Sequence, residues 1–162
     1  MTALAAIAEQ FAAAIDEAGY EWVDAPVLQP ARVYIDQSGE DLRRRTFMFA
    51  APDGEELCLR PEQTIPTARV FLEHGAATPA NLAYRGMVFR QPPEGVDRPR
   101  EYQQIGVERF GGADPLSEDV APLALAASLV ASAGVTGVTI HMGDLGLFPA
   151  LVDALEASPG WR

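Results

Sequence analysis

Among the 162 residues there is no lysine, so all twelve basic side chains are arginine. That excludes a Schiff-base lysine and the lysine of a Walker-type phosphate loop. Cysteine occurs once, as Cys58 in an apolar, strand-like run, so no internal disulfide can form and the thiol reads as a small buried hydrophobe. Only two histidines occur, His74 and His141, neither inside a cysteine or carboxylate cluster at ligand spacing, so neither a metal nor a cofactor is expected. No apolar run approaches the roughly eighteen residues that span a bilayer, and the N-terminus lacks a basic region followed by an apolar stretch. These absences point to a reducing, cytoplasmic setting away from membranes. Positive charge is also scarce: the net charge is −11, which argues against tRNA or other nucleic acid gripped by this chain alone.

What is present is one domain's worth of chain with 48% hydrophobic residues, enough for a sizeable core. Leu4, Ile7, Phe11 and Ile15 recur at helical spacing before Gly19, a natural residue for ending a helix. An extended stretch follows through Trp22 and Val23, and Pro26 and Pro30 bracket a short segment. Arg43, Arg44 and Arg45 read as a solvated lead-in to the TFMFA strand rather than as an anion site. Pro52, Asp53 and Gly54 turn that strand back into ELCLR. Thr64 suits the cap of a helix that tolerates Pro66 and ends at Gly75.

Farther on, Asp114-Pro115 or Ser117 opens a long helix to about Ala133, with Leu116, Val120, Leu123, Ala127 and Val130 expected inward. Pro122 predicts a kink or a later start. VTIHMG reads as a strand, and Asp144 as the cap of a last helix carrying Leu147, Leu151 and Leu155. Hairpins mixed with helices, without strict βαβ alternation, indicate an α+β fold on a mainly antiparallel sheet.

The most informative stretch is Tyr84 to Gly111, two strand-like runs around a loop with Pro92, Pro93, Gly95 and Pro99. Arg90 closes the first run, and Arg98 and Arg100 end the loop. On the return, Gln104, Gly106 and Glu108 alternate at spacing two and so share one face of a sheet. Such a hairpin suits a small polar ligand, one carrying phosphate included. Charge pattern alone fits equally a hairpin whose charges are simply solvated.

This hairpin resembles motif 2 of the class II aminoacyl-tRNA synthetases, in the form found in histidyl-tRNA synthetases. LRPEQTIPTAR, from Leu59 to Arg69, looks like the family's LRPE-x-T element, and AGYEWVDAPVLQP resembles motif 1. The resemblance covers nearly the whole chain and implies a mainly antiparallel sheet flanked by helices. Residues 1–162 would be the N-terminal part of such a catalytic core, incomplete because motif 3 and an anticodon domain are lacking. It also implies that Glu62, Thr64, Gln104 and Glu108 hold L-histidine, and that Arg90 meets the amino-acid carboxylate and the ATP α-phosphate. Arg98 and Arg100 match loop arginines that approach the outer phosphates, here a weak anion site.

Each assignment has a plainer reading: Glu62 as an acid favoured by a helix macrodipole, and Gln104 as half of a cross-strand polar pair. Departures from the pattern carry as much weight. The family's glutamate two residues after the motif 2 arginine, which reads the adenine amino group, is Pro92 here. The RG-x-x-D lead-in is missing, and GDLGLFPALVDAL, Gly143 to Leu155, resembles a non-aminoacylating paralogue group. That group comprises regulatory subunits of the short-form ATP phosphoribosyltransferase, the first enzyme of histidine biosynthesis. The resemblance implies no catalytic residue in this chain, a homodimer within a hetero-oligomer with the catalytic subunit, and feedback by bound histidine. The alternative it leaves is a histidyl-tRNA synthetase fragment that activates histidine with ATP.

Overall fold

A computed structural model describes residues 3–155, with no side-chain account of residues 36–42 and 115. The first helix, α1 (Ala3–Glu17), grows from an alanine-rich segment of high helix propensity. It ends in a Schellman arrangement: the Tyr20 N–H bonds back to the Ile15 carbonyl and the Gly19 N–H to that of Asp16. Gly19 has φ +78, a value that a side chain would strain. Ile15 and Tyr20, at the two ends of that motif, pack together with Ala83 as one core cluster.

The next elements are β1 (Glu21–Trp22), β2 (Leu28–Pro30), α2 (Arg32–Arg45), β3 (Met48–Ala50), β4 (Glu56–Leu59) and α3 (Thr64–Glu73). They are followed by β5 (Ala80–Phe89), β6 (Glu101–Phe110), α4 (Pro115–Ser132) and α5 (Leu147–Ala154). Strands form two three-stranded sheets, ordered β1-β5-β6 and β2-β4-β3. All ladders are antiparallel except β1 with β5. The expected single sheet is thus divided, with Arg60 joining the two parts. Its backbone bonds to Val27 and Phe89, and its side chain donates to the carbonyls of Met87 at 2.8 Å and Ala25 at 2.5 Å. Arg60 is only 3% exposed; burial lowers its pKa while Asp24 and Tyr34 oppose that shift. Several carbonyl acceptors make so buried a guanidinium tolerable.

Four expectations change. The arginine run is no lead-in to a strand: Arg43, Arg44 and Arg45 form the last turn of α2, where cations suit the helix's negative end. The polarity of the helix and the glycine within it hid its period. Residues 138–143, VTIHMG, carry no regular secondary structure and join no ladder among the described residues, and Val138, Ile140 and Met142 are exposed. Backbone composition alone does not make a strand without a neighbour to pair with. In α4 the inward residues are Leu125 and Leu129, while Leu116 and Val120 lie outside. An alanine-rich helix offers two apolar rows of nearly equal spacing, and the row containing Pro122 is the one that packs. The helix runs through Pro122 from Pro115 onward rather than starting later.

Candidate functional site

Residues directly opposite in an antiparallel pair share a face, so the β5–β6 register sorts the hairpin into two surfaces. One face carries Ala83 with Val107 and Arg85 with Ile105, and it packs under α1 and α4. The other carries Leu82 with Glu108, Tyr84 with Gly106 and Gly86 with Gln104. On this second face α3 contributes its own residues, and Phe71 stacks on Phe110 at 4.2 Å between ring centroids. The N-terminal end of α3 therefore comes over the middle of the hairpin.

At the centre stands Tyr84, which the sequence pattern did not single out. Its hydroxyl donates to Glu108 Oε1 at 3.3 Å, and its ring covers Gly106, where any Cβ would collide with it. Burial pushes the phenol up to about 12, helped by the charges of Glu108 and Glu62, while Thr64 hydrogen-bonds to it and pulls the other way. Three of the expected residues, Glu62, Thr64 and Glu108, thus surround one phenol. The fourth lies two residues along from Gly106 on the same face: Gln104 keeps its Oε1 buried without a hydrogen-bond partner. Across the ladder, at Gly86, the space of a side chain is taken by the Arg60 guanidinium and by Gln63. The buried Gln63 Nε2 also lacks a partner. An orphan acceptor and an orphan donor thus flank one glycine, each at a cost of about 1–3 kcal/mol that a polar ligand would offset.

Glu62 has a local role as well. Its carboxylate accepts the N–H of Thr64 at 2.5 Å and that of Ile65 at 3.1 Å, capping α3 from outside the helix. The cap is therefore the Glu62 carboxylate: Thr64 is the first residue inside the helix, and Gln63 at the N-cap position makes no side-chain capping bond. Two oxygens provide about four acceptor positions, so capping leaves capacity for a ligand.

The arginines gather one step away. Arg90 donates its Nε to the Pro61 carbonyl at 2.5 Å and its N–H to the Arg100 carbonyl at 2.8 Å. Its side chain lines a cleft of about 190 Å³ with Arg45, Arg98, Pro92, Pro93, Pro99 and Tyr102. Arg100 is exposed and does not line it. Among the described residues, no group of three or more His, Cys, Asp or Glu could hold a metal ion. None of the helices there is long and apolar enough to cross a membrane.

A model of the histidyl-tRNA synthetase family matches residues 1–162. The chain belongs to that family. Its α+β fold is the class II synthetase type: over 82% of this chain it follows the S. aureus histidyl-tRNA synthetase, at a TM-score of 0.64 and 24% identity, across 31% of that enzyme. A family member described as an ATP phosphoribosyltransferase regulatory subunit/histidyl-tRNA synthetase, from Bacillus halodurans, superposes at a TM-score of 0.75 with 30% identity, over 91% of this chain and 38% of that one. An ATP phosphoribosyltransferase regulatory subunit from Brucella anthropi is 41% identical over 151 residues, 93% of this chain. The chain spans 39% of the length of that relative. Within the histidyl-tRNA synthetase family, the resemblance is thus to the regulatory-subunit branch.

Proposed function

We propose that this protein is a non-catalytic regulatory subunit of ATP phosphoribosyltransferase, required for the first step of histidine biosynthesis and carrying a histidine site for feedback. Its partner is the short-form catalytic subunit, bound by a homodimer of this protein in the cytoplasm. The observation that carries the reading is a contrast between the cluster at Tyr84 and the loop of the hairpin. Glu62, Thr64 and Glu108 gather at Tyr84 beside the unpartnered Gln104, while Pro92 stands where an acceptor for adenine would be needed. The residues matched to the amino acid are kept, and the residue matched to the adenine contact is not. Two carboxylates suit an α-ammonium or an imidazolium, and an amide with a hydroxyl suits a neutral imidazole edge. Arg90, whose Nε donates to the Pro61 carbonyl, is the residue this reading assigns to the ligand carboxylate. The 41% identity with a regulatory subunit supports the same assignment.

Feedback requires that histidine bind unequally to two states of the complex, with coupling of roughly 1–3 kcal/mol. The test is reconstitution with a short-form catalytic subunit. Histidine is expected to inhibit the complex, and Glu108→Ala is expected to weaken histidine binding at least about tenfold, near 1.4 kcal/mol, and to relieve inhibition. Calorimetry showing the same histidine affinity in Glu108→Ala would remove the pocket.

A second reading is a histidyl-tRNA synthetase that activates histidine with ATP. It rests on the retained Arg90 and the family's own chemistry, against the regulatory-subunit relatives. Histidine-dependent exchange of pyrophosphate into ATP would decide for it, and a silent exchange assay beside normal histidine binding would leave the regulatory reading.

A further inference from the structure

Helix α3 turns polar side chains inward. Gln63 at its N-cap and Thr67 one turn on are 1% and 0% exposed, whereas Leu72 near its end is 65% exposed. The Thr67 N–H donates to the Gln63 carbonyl at 2.9 Å, so the two side chains follow one row of the helix. Among the described residues, neither Gln63 Nε2 nor Thr67 Oγ1 has a hydrogen-bond partner, and the buried hydroxyl of Tyr34 on α2 has none either. Burial, and after it the charge of Glu62, keeps that phenol protonated far above its ordinary range, which sets Tyr34 near the same helix end. A buried polar group without a partner is unfavourable. Three of them about the N-terminal half of one helix mark an arrangement that a small shift can improve.

A partner for one of the three is close by. Gly86 stands opposite Gln104 in the hairpin, and a Cβ on Gly86 would lie 3.1 Å from Gln63 Nε2. Gln104 Oε1 is buried and unpaired as well. A donor on α3 and an acceptor on β6 thus neighbour one glycine without bonding to each other. The far half of α3 is anchored differently. Phe71 stacks on Phe110 at 4.2 Å, and Arg69 donates to Gln29 Oε1 at 2.7 Å. Just past the helix, Gly75 and Ala76 both have positive φ, +92 and +52. Alanine is strained there, and strain of this kind gathers where a backbone changes state.

We propose that α3 is a two-position helix that carries the histidine signal. In one position Gln63 and Gln104 are unpaired. In the other, favoured by histidine, α3 has pivoted on the Phe71–Phe110 stack, with Gly75 and Ala76 taking up the change, and Gln63 donates to Gln104. Glu62 and Thr64 lie at the moving end, so ligand contact and helix position are one event. The proposal rests on the histidine reading and names the two states that feedback requires. Gln63 acts in it as a positioning residue, too deeply buried to touch the ligand itself.

Hydrogen exchange over residues 67–73, measured beside calorimetric titration of the same full chain with L-histidine, tests the switch. In the wild type, saturating histidine is expected to slow exchange there at least threefold, although none of those residues is assigned to the ligand. Gln63→Leu removes the donor at similar size. It should weaken histidine at least fivefold, abolish the exchange response at saturating histidine and leave the melting temperature unchanged or higher. If Gln63→Leu does not fold, Gln63→Met, unbranched and equally without a donor, is read in the same way. Histidine binding with unaltered exchange over 67–73 overturns the switch and leaves the site, as does equal histidine affinity in the variant. A purely structural Gln63 would lower the melting temperature and keep the exchange response, which overturns the switch too. No histidine binding by the wild type overturns the site and the switch together.

Discussion

Tyr84 shows how one side chain organises charges that the sequence presents only as a spacing. Glu108 and Gln104 were visible through alternation along a strand, but the phenol between them sat in an apolar run and looked like core. It is core by burial and site by its hydroxyl, which meets Glu108 while Thr64 and Glu62 stand near. The same burial makes a pH prediction. An unfolded phenol loses its proton near 10, whereas burial first, and the Glu108 and Glu62 charges after it, hold Tyr84 protonated to about 12. A group whose folded pKa is raised gives stability that is complete below the unfolded value and disappears as pH climbs through the folded one. The Tyr84 contribution is therefore full below pH 10 and is lost between 10 and 12. In Tyr84→Phe, denaturant unfolding across that window should fall off less steeply than in the wild type. Superimposable alkaline stability profiles for the two proteins would show that Tyr84 is not buried among those carboxylates.

Helix α3 is the element on which the site turns, because its N-terminus presents both Glu62 and Thr64 over the hairpin. The carboxylate of Glu62 closes two of the free N–H groups at that end, so its removal acts on the helix before it acts on any ligand. Glu62→Ala should cost about 0.5–2 kcal/mol of stability, the range for a lost cap. Glu62→Gln keeps an acceptor oxygen and should lose less, while both variants lose the charge offered to an α-ammonium. Chemical denaturation and histidine titration of the pair separate cap from ligand contact; an alanine variant as stable as the wild type would refute the cap. Glu108, which belongs to β6 and caps nothing, is the cleaner probe of binding. At this scale the sequence was readable wherever a local rule operates. Gly19 ends α1 through its positive φ, the Pro52-Asp53-Gly54 turn joins β3 and β4, and the alternation of β6 places Gln104 and Glu108 together. It was unreadable wherever the deciding contact is distant. The polar helix α2 is read only once Arg45 is seen against the β5–β6 loop, and the inward row of α4 is chosen by Ile15 and Ala83. Arg60 and Gln63 likewise owe their part in the site to Gly86, a residue more than twenty positions away.

For the molecule as a whole, charge and apolar surface are unevenly shared. Arginines are drawn to the seam between the sheets and to the cleft, while a continuous portion of chain beyond α4 leaves its apolar side chains in the open. Ile140, Met142, Leu147, Phe148 and Leu151 are 52%, 79%, 68%, 60% and 55% exposed. Within α5 Val152 is the buried residue, and the helix shows its apolar row outward. Isolated exposed hydrophobes are ordinary, but five within a dozen positions gather more apolar surface than a soluble monomer usually leaves uncovered. Residues 138–143 beside them belong to no helix or ladder among the described residues. This chain of 162 residues should therefore bind the dye anilinonaphthalene sulfonate in its native state, with a rise in fluorescence before any denaturant is added. Phe148→Ser combined with Leu151→Ser changes exposed positions and spares Val152, so the fold should stay intact and most of that fluorescence should go. Dye binding equal in the double variant would place the adhesive surface elsewhere, and no binding to the native chain would mean that α5 is covered in solution.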